Sequence, residues 1–504
     1  MKSFTKYILL IAVVMMVSTS CDDGFENLNV NPVTATSINP NFQFTWVQLR
    51  TSGGRYENWR AGLIYSSMML QHMSALCGYW TGDKYTFNAG YASSLFDRAY
   101  PEQVKDMEDL LNTLRTSDAV GDPAMLSMAR IWRVIIYHRL TDLYGDIPYS
   151  EAGQGFITGV DKPKYDTQES IYDDMLKELE EAVAGMGAEG GFGEADLIYA
   201  GDIDKWKRFG NSLMLRLAMR LSEVNPAKAQ EWVGKAISGG VMNSSADNAF
   251  MEHTNGPEGV NRNGIGEVLD KSNGFGDDCP RLSATLVDWM LSTGDPRLNI
   301  LGVVPEIGDG THKGLPPGLD ETTIKANLPD TTINHFSRIN PDIVKVESPM
   351  VFMTYAETEF LLAEAALRGW HSGVAADHYD TGVRAAMKLY EIYDPSMTVD
   401  DADIDTYLSN NPFDGTQEAI GWQYWTATFL NEYESFANWR RTGFPNLTPV
   451  NYDGNVTNGT IPVRMAYPQS EIGVNGDNFE EARMRQGLPE NFASMLTVPV
   501  WWDQ

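Results

Sequence analysis

The sequence has 504 residues, 43% of them hydrophobic, with 68 acidic side chains against 38 basic ones and a formal net charge of −30 at pH 7. That apolar share is ordinary for a globular protein with a sizeable core. The charge excludes a nucleic-acid partner, because a phosphate backbone would be repelled.

The chain opens with Lys2 and Lys6, an apolar run over residues 7–17, and small Ser18, Thr19 and Ser20. That order is the layout of a secretory signal. The run is shorter than the about 20 residues a membrane-spanning helix needs, and no later stretch is long and apolar enough either. Cys21 stands where a bacterial lipoprotein is cleaved and acylated, although Ser18 occupies the place where Leu is commonest. The expectation is a signal peptide over residues 1–20, lipidation of Cys21, and a flexible tether rich in Asn, Pro and Thr over residues 21–40.

Residues 41–504 read as a single, mainly α domain. A helix is predicted over 123–144, ended by Gly145 and kept from resuming by Pro148. The clearest helical period runs over 205–221, where Trp206, Phe209, Leu213, Leu217 and Leu221 share a face. Ala356, Phe360, Ala363 and Leu367 repeat the pattern over 352–367. A second helix follows over 374–390 with small Ala375, Ala376, Gly382, Ala385 and Ala386. Small residues at such positions let two helices approach closely, and units of about 34 residues of this kind resemble tetratricopeptide repeats. No strict period is present, so divergent helical hairpins are expected rather than a regular solenoid.

Periodicity fades over about 239–349, where Gly, Asn, Asp and Pro are dense. Short alternations there, such as residues 342–346, are expected to be strands. A second irregular stretch begins at Pro445. Long ordered loops of this kind are usually functional, so ligand contacts are expected on them.

No GxSxG elbow, HExxH, phosphate loop or complete GxGxxG is present, so no catalytic residues are assigned and no cofactor or metal is expected. His371 and His378, two helical turns apart, read as surface positions. The run Asn451-Tyr452-Asp453-Gly454-Asn455 lacks calcium-loop spacing and reads as a turn. Cys77 and Cys279 read as two buried thiols, with a bridge as the less favoured alternative. The positive signal is aromatic: 13 Trp and 22 Tyr, many in polar loops. Tyr79-Trp80-Thr81-Gly82-Asp83-Lys84-Tyr85-Thr86-Phe87-Asn88, expected just after a helix ending near Cys77, mixes ring planes with polar groups. The apolar face of a sugar can lie on such planes while polar groups bind its hydroxyls.

Several segments, in order along the chain, resemble the SusD/RagB family of nutrient-binding outer-membrane lipoproteins, closest to its SusD-like, starch-binding-associated branch. They are residues 141–152 (Thr141-Asp142-Leu143-Tyr144-Gly145 onward), Trp206 to Leu213 continuing through Ala218, Tyr355-Ala356-Glu357 with Phe360 to Ala365, Asn438-Trp439-Arg440-Arg441-Thr442-Gly443, and Ile461-Pro462-Val463-Arg464. The resemblance implies a scaffold of four tetratricopeptide-like hairpins, loops carrying the ligand face, and display at the outer membrane. It implies a SusC-like, TonB-dependent transporter as partner and a glycan, or else a peptide, as ligand. By location it places the ligand contacts at Tyr79, Trp80, Tyr85 and Asn88, and around Phe275, Asp277 and Arg281, with Trp80 foremost. A secreted helical glycoside hydrolase and a helical-repeat interaction module without a small ligand remain the alternatives.

Overall fold

The computed structural model describes residues 38–116, 121–256, 259–274 and 276–503. Its frame is built from helices α1 (Pro40–Thr51), α2 (Lys105–Thr116), α3 (Pro123–Tyr144), α4 (Gln168–Gly185), α5 (Ile203–Arg220), α6 (Pro226–Gly239), α7 (Tyr355–Leu367), α8 (Ala375–Lys388), α9 (Gln417–Ala427) and α10 (Glu432–Thr442). Local sequence sets the starts of most of them. Asp122, Thr167, Asp202, Asn225, Thr354 and Thr416 each accept a backbone N–H of the first turn that has no partner inside the helix.

The helices pack as four successive pairs, α3 with α4, α5 with α6, α7 with α8 and α9 with α10. Neighbouring pairs join through α4 on α5, α5 on α7 and α7 on α9. The fold is therefore mainly α and built of helical hairpins, as the small-residue pattern of 353–391 predicts. Residues Pro40–Gln504 form one compact unit around a continuous apolar core.

The segments that carry the family resemblance meet inside this scaffold. Arg216 of α5 makes a two-pronged ion pair with Glu357 of α7, at 2.6 and 2.7 Å, and Arg220 one turn on reaches Glu434 of α10 at 2.7 Å. Arg441 of α10 closes a second two-pronged pair with Glu364 of α7 at 2.7 and 2.6 Å. All of these side chains are buried. Buried charges persist only when paired and hydrogen-bonded, so this network fixes how the helices register against each other.

Strands are short: β1 (Met73–Ala75), β2 (Ala249–Met251), β3 (Pro280–Leu282) and β4 (Met350–Met353) form two antiparallel pairs, β1 with β3 and β2 with β4, and two further pairs of two-residue strands join Ile147–Pro148 to Tyr165–Asp166 and Gly302–Val303 to Arg338–Ile339. Residues 342–346, expected as a strand, instead begin in a single 3₁₀ turn at Pro341–Ile343. Pro341 has no N–H for a ladder, and the Asn340 side chain takes the Asp342 N–H at 3.0 Å. Among the described residues no helix is long and apolar enough to cross a membrane.

Candidate ligand-binding site

Two distant stretches of chain meet at the edge of the scaffold, and β1 and β3 bring them together. The register places Ala75 opposite Pro280, so the residues just beyond lie side by side. Cys77 and Cys279 are joined there by a disulfide, with Cα atoms 5.9 Å apart and a sequence separation of 202. The expectation of two free thiols is thus corrected. Spacing along the chain carries no trace of a pairing that strand register creates.

The 79–88 loop follows β1, not a helix ending near Cys77 as expected; the preceding wide helical turn ends at Ser67. The loop is anchored from beneath. Buried Asp83 pairs with buried Lys84 at 2.9 Å and accepts the Gly318 N–H at 3.1 Å, and Lys84 also donates to the Ala75 carbonyl at 2.6 Å. Burial raises the Asp83 pKa, and Lys84 opposes that shift. A side chain on Gly82 would come within 1.7 Å of the Ile64 carbonyl oxygen, so the loop can sit this close to the helix only with glycine there.

The seven singled-out loop residues part company. Trp80 is fully buried, with its indole N–H donated to Asp277 Oδ2 at 2.8 Å. A ring with no free face cannot stack on a ligand, so its expected role as the foremost contact is corrected to that of a strut. Tyr85 is also buried, its hydroxyl accepting the Val450 N–H at 3.2 Å. Arg281 is buried as well, donating to the carbonyls of Asp278, Pro280 and Ile333 at 2.5, 3.0 and 3.2 Å. Both brace loops. Tyr79 is 45% exposed, and Asn88 is exposed while capping the short helix Ala89–Ala92. Asp277 is half-buried. Phe275 and Cys21 lie outside the described residues.

Exposed Tyr79 and half-buried Trp59 and Tyr91 form a cluster with charged neighbours. Trp59 meets Tyr79 edge-on at 6.3 Å between ring centroids and lies 6.2 Å from Tyr91. The Arg60 guanidinium sits 3.8 Å from the Tyr56 ring centroid, 5.5 Å from that of Trp59 and 5.8 Å from that of Tyr91. Arg55 lies 5.8 Å from the Trp59 ring. Tyr79 donates its hydroxyl to the Asp277 carboxylate at 3.0 and 3.1 Å. Burial, and after it the Asp277 charge, pushes that phenol up to about 12, so it stays a donor at physiological pH. Ring faces, guanidinium donors and a carboxylate acceptor on one surface suit a ligand with apolar C–H faces and many hydroxyls. Trp59, Arg60 and Tyr91 are absent from the sequence expectations. The adjacent cation–aromatic pairs Arg55-Tyr56 and Trp59-Arg60 upstream of the loop are the signal that would have found the first two.

The family model described as SusD-like, starch-binding and associating with the outer membrane matches residues 33–468. Among solved structures, a chitin-binding protein is 35% identical, covering 92% of this chain and 100% of its own, with a TM-score of 0.82. A chitin-binding SusD homologue from Flavobacterium johnsoniae is 25% identical, over 92% of this chain and 98% of its own, with a TM-score of 0.75. A SusD homologue from Bacteroides uniformis is 25% identical, over 93% and 100%, with a TM-score of 0.76. A search of curated proteins returned no match.

Proposed function

The chain belongs to the SusD-like family, and from that membership together with the aromatic cluster we propose that it captures a glycan at the cell surface and passes it, unaltered, to a SusC-like, TonB-dependent transporter. Lipidation at Cys21 would tether it to the outer membrane, with residues 21–40 as the spacer and residues 41–504 as the binding body. The ligand-facing residues are Tyr79, Asn88 and Asp277 together with Trp59, Arg60 and Tyr91.

The observation that carries this reading is the joining of exposed Tyr79 with half-buried Trp59, Tyr91, Arg60 and Asp277 in one cluster. The chitin-binding relatives favour N-acetylglucosamine oligomers as the first ligands to test. An N-acetylglucosamine ring offers an apolar face for stacking and an amide and hydroxyls for Arg60 and Asp277. Binding without turnover fits a chain whose buried carboxylates of α7 and α10 are committed to arginine partners.

Calorimetric titration with chito-oligosaccharides, malto-oligosaccharides and oligopeptides tests the proposal, with each ligand recovered and sized afterwards. Saturable binding of one glycan class, recovered intact, is expected. Shortened products would move the protein to the glycoside hydrolases, and binding of peptides alone would replace the glycan with a peptide cargo.

A further inference from the structure

His371 and His378 do not sit on a common helix face. His371 lies in the turn between α7 and α8, and His378 lies in the first turn of α8. The turn folds back so that the two Nε2 atoms face each other at 3.1 Å, with ring centroids 5.0 Å apart. The other ring nitrogen of His378, Nδ1, is 2.6 Å from the Glu359 carboxylate on α7. A carboxylate in that place accepts a hydrogen bond from Nδ1–H, which leaves Nε2 with a bare lone pair aimed at its neighbour.

From this geometry we propose that His371 Nε2 and His378 Nε2 form a two-imidazole site for a borderline divalent transition ion such as Zn2+, Ni2+ or Cu2+, which clips the α7–α8 turn. Imidazole is the preferred donor for these ions. Metal–nitrogen bonds of about 2.0–2.1 Å to nitrogens 3.1 Å apart enclose an angle of about 98° at the ion, between the octahedral and tetrahedral values. Glu359 takes the place that outer-shell carboxylates hold behind metal-ligating histidines, fixing the tautomer and the ring orientation. Among the described residues no group of three or more His, Cys, Asp or Glu is arranged around an ion, so water or a partner's group completes the coordination. Gly373 is part of the construction: a Cβ there would stand 2.4 Å from His378 Nε2 and 2.5 Å from His371 Nε2.

The test is titration of the chelator-treated full chain, made without a polyhistidine tag, with Zn2+ by calorimetry and with Cu2+ by electron paramagnetic resonance. One saturable site is expected, with a Cu2+ spectrum split by two imidazole nitrogens. His371→Ala and His378→Ala should each abolish that site. Glu359→Gln should weaken it about 10–100-fold, and Gly373→Ala should weaken it while retaining both histidines. Melting curves without metal establish that each variant is folded. No saturable binding, or equal binding by the wild type and both His→Ala variants, would overturn the proposal and leave the pair as a hydrogen bond between two imidazoles.

Discussion

The Trp80 indole N–H lies 2.8 Å from the Asp277 carboxylate across 197 residues of sequence. The same carboxylate takes the Tyr79 hydroxyl and, at 3.1 Å, the Cys279 backbone N–H. One acidic side chain therefore holds an exposed ring and a buried ring in fixed relation. The buried ring supports the loop, and the exposed ring is left to meet a ligand.

Neighbouring aromatics should consequently separate in their effects. Trp80→Ala removes a fully buried indole and should destabilise the fold by about 3–5 kcal/mol. Tyr79→Ala removes a partly exposed ring and should weaken glycan binding by about 1–2 kcal/mol with little change in stability. Denaturant melts beside calorimetric titrations of both variants check this. A Trp80→Ala protein of unchanged stability would refute the strut assignment.

The disulfide closes a long loop and ties the two halves of the site together. Cys279→Ser should lower stability by about 2–4 kcal/mol. It should also weaken ligand binding, because Tyr79 and Asp277 are then held together only by strand pairing and hydrogen bonds. Treating the wild type with dithiothreitol should give the same two effects in thermal melts and binding assays.

The scaffold's ion pairs respond differently to single and paired replacement. Glu357→Ala leaves Arg216 buried without its two-pronged partner and should destabilise by about 3–5 kcal/mol. Replacing both, Arg216→Met with Glu357→Leu, should cost less than Glu357→Ala alone. A double variant less stable than that single variant would contradict this account of the network.

Acid sensitivity should trace in part to His138. Burial lowers its pKa from 6.5 to about 4, with Asp142 opposing and Arg216 and Arg139 reinforcing the shift. The unfolded chain then protonates at a higher pH than the folded protein does. The stability this group contributes is fully present above about pH 6.5 and is lost as pH falls toward about 4, amounting to about 3 kcal/mol. Asp142, whose pKa Arg220 and His138 hold at about 2 against its burial, titrates below that window. His138→Asn should flatten the fall in Tm between pH 6.5 and 4. Parallel curves for variant and wild type would exclude His138 as the titrating group.

The scaffold was legible in the sequence because its signals are local. Helical period and terminator glycine placed α3 at residues 123–144, the bounds seen in the structure. Three of the segments that carry the resemblance supply Arg216, Glu357, Glu364 and Arg441, which pair inside the scaffold, so they identify the family and say little about its ligand. The site was legible only as a pair of loops. Whether Trp80 or Tyr79 faces outward depends on which way a short irregular segment turns, and Asp277, far away in sequence, decides it. The disulfide and the His371–His378 contact escaped for the same reason: each is created by chain reversal rather than by spacing.

The central claim is that the surface of Trp59, Tyr79, Tyr91, Arg60 and Asp277 binds a glycan without altering it. Its most direct measurement is titration of the wild type and of Trp59→Ala/Tyr79→Ala with chito-oligosaccharides, followed by sizing of the recovered sugar. The account predicts saturable binding by the wild type, at least tenfold weaker binding by the folded double variant, and sugar of unchanged length. Equal affinity in the two proteins, or shortened sugar, would contradict it.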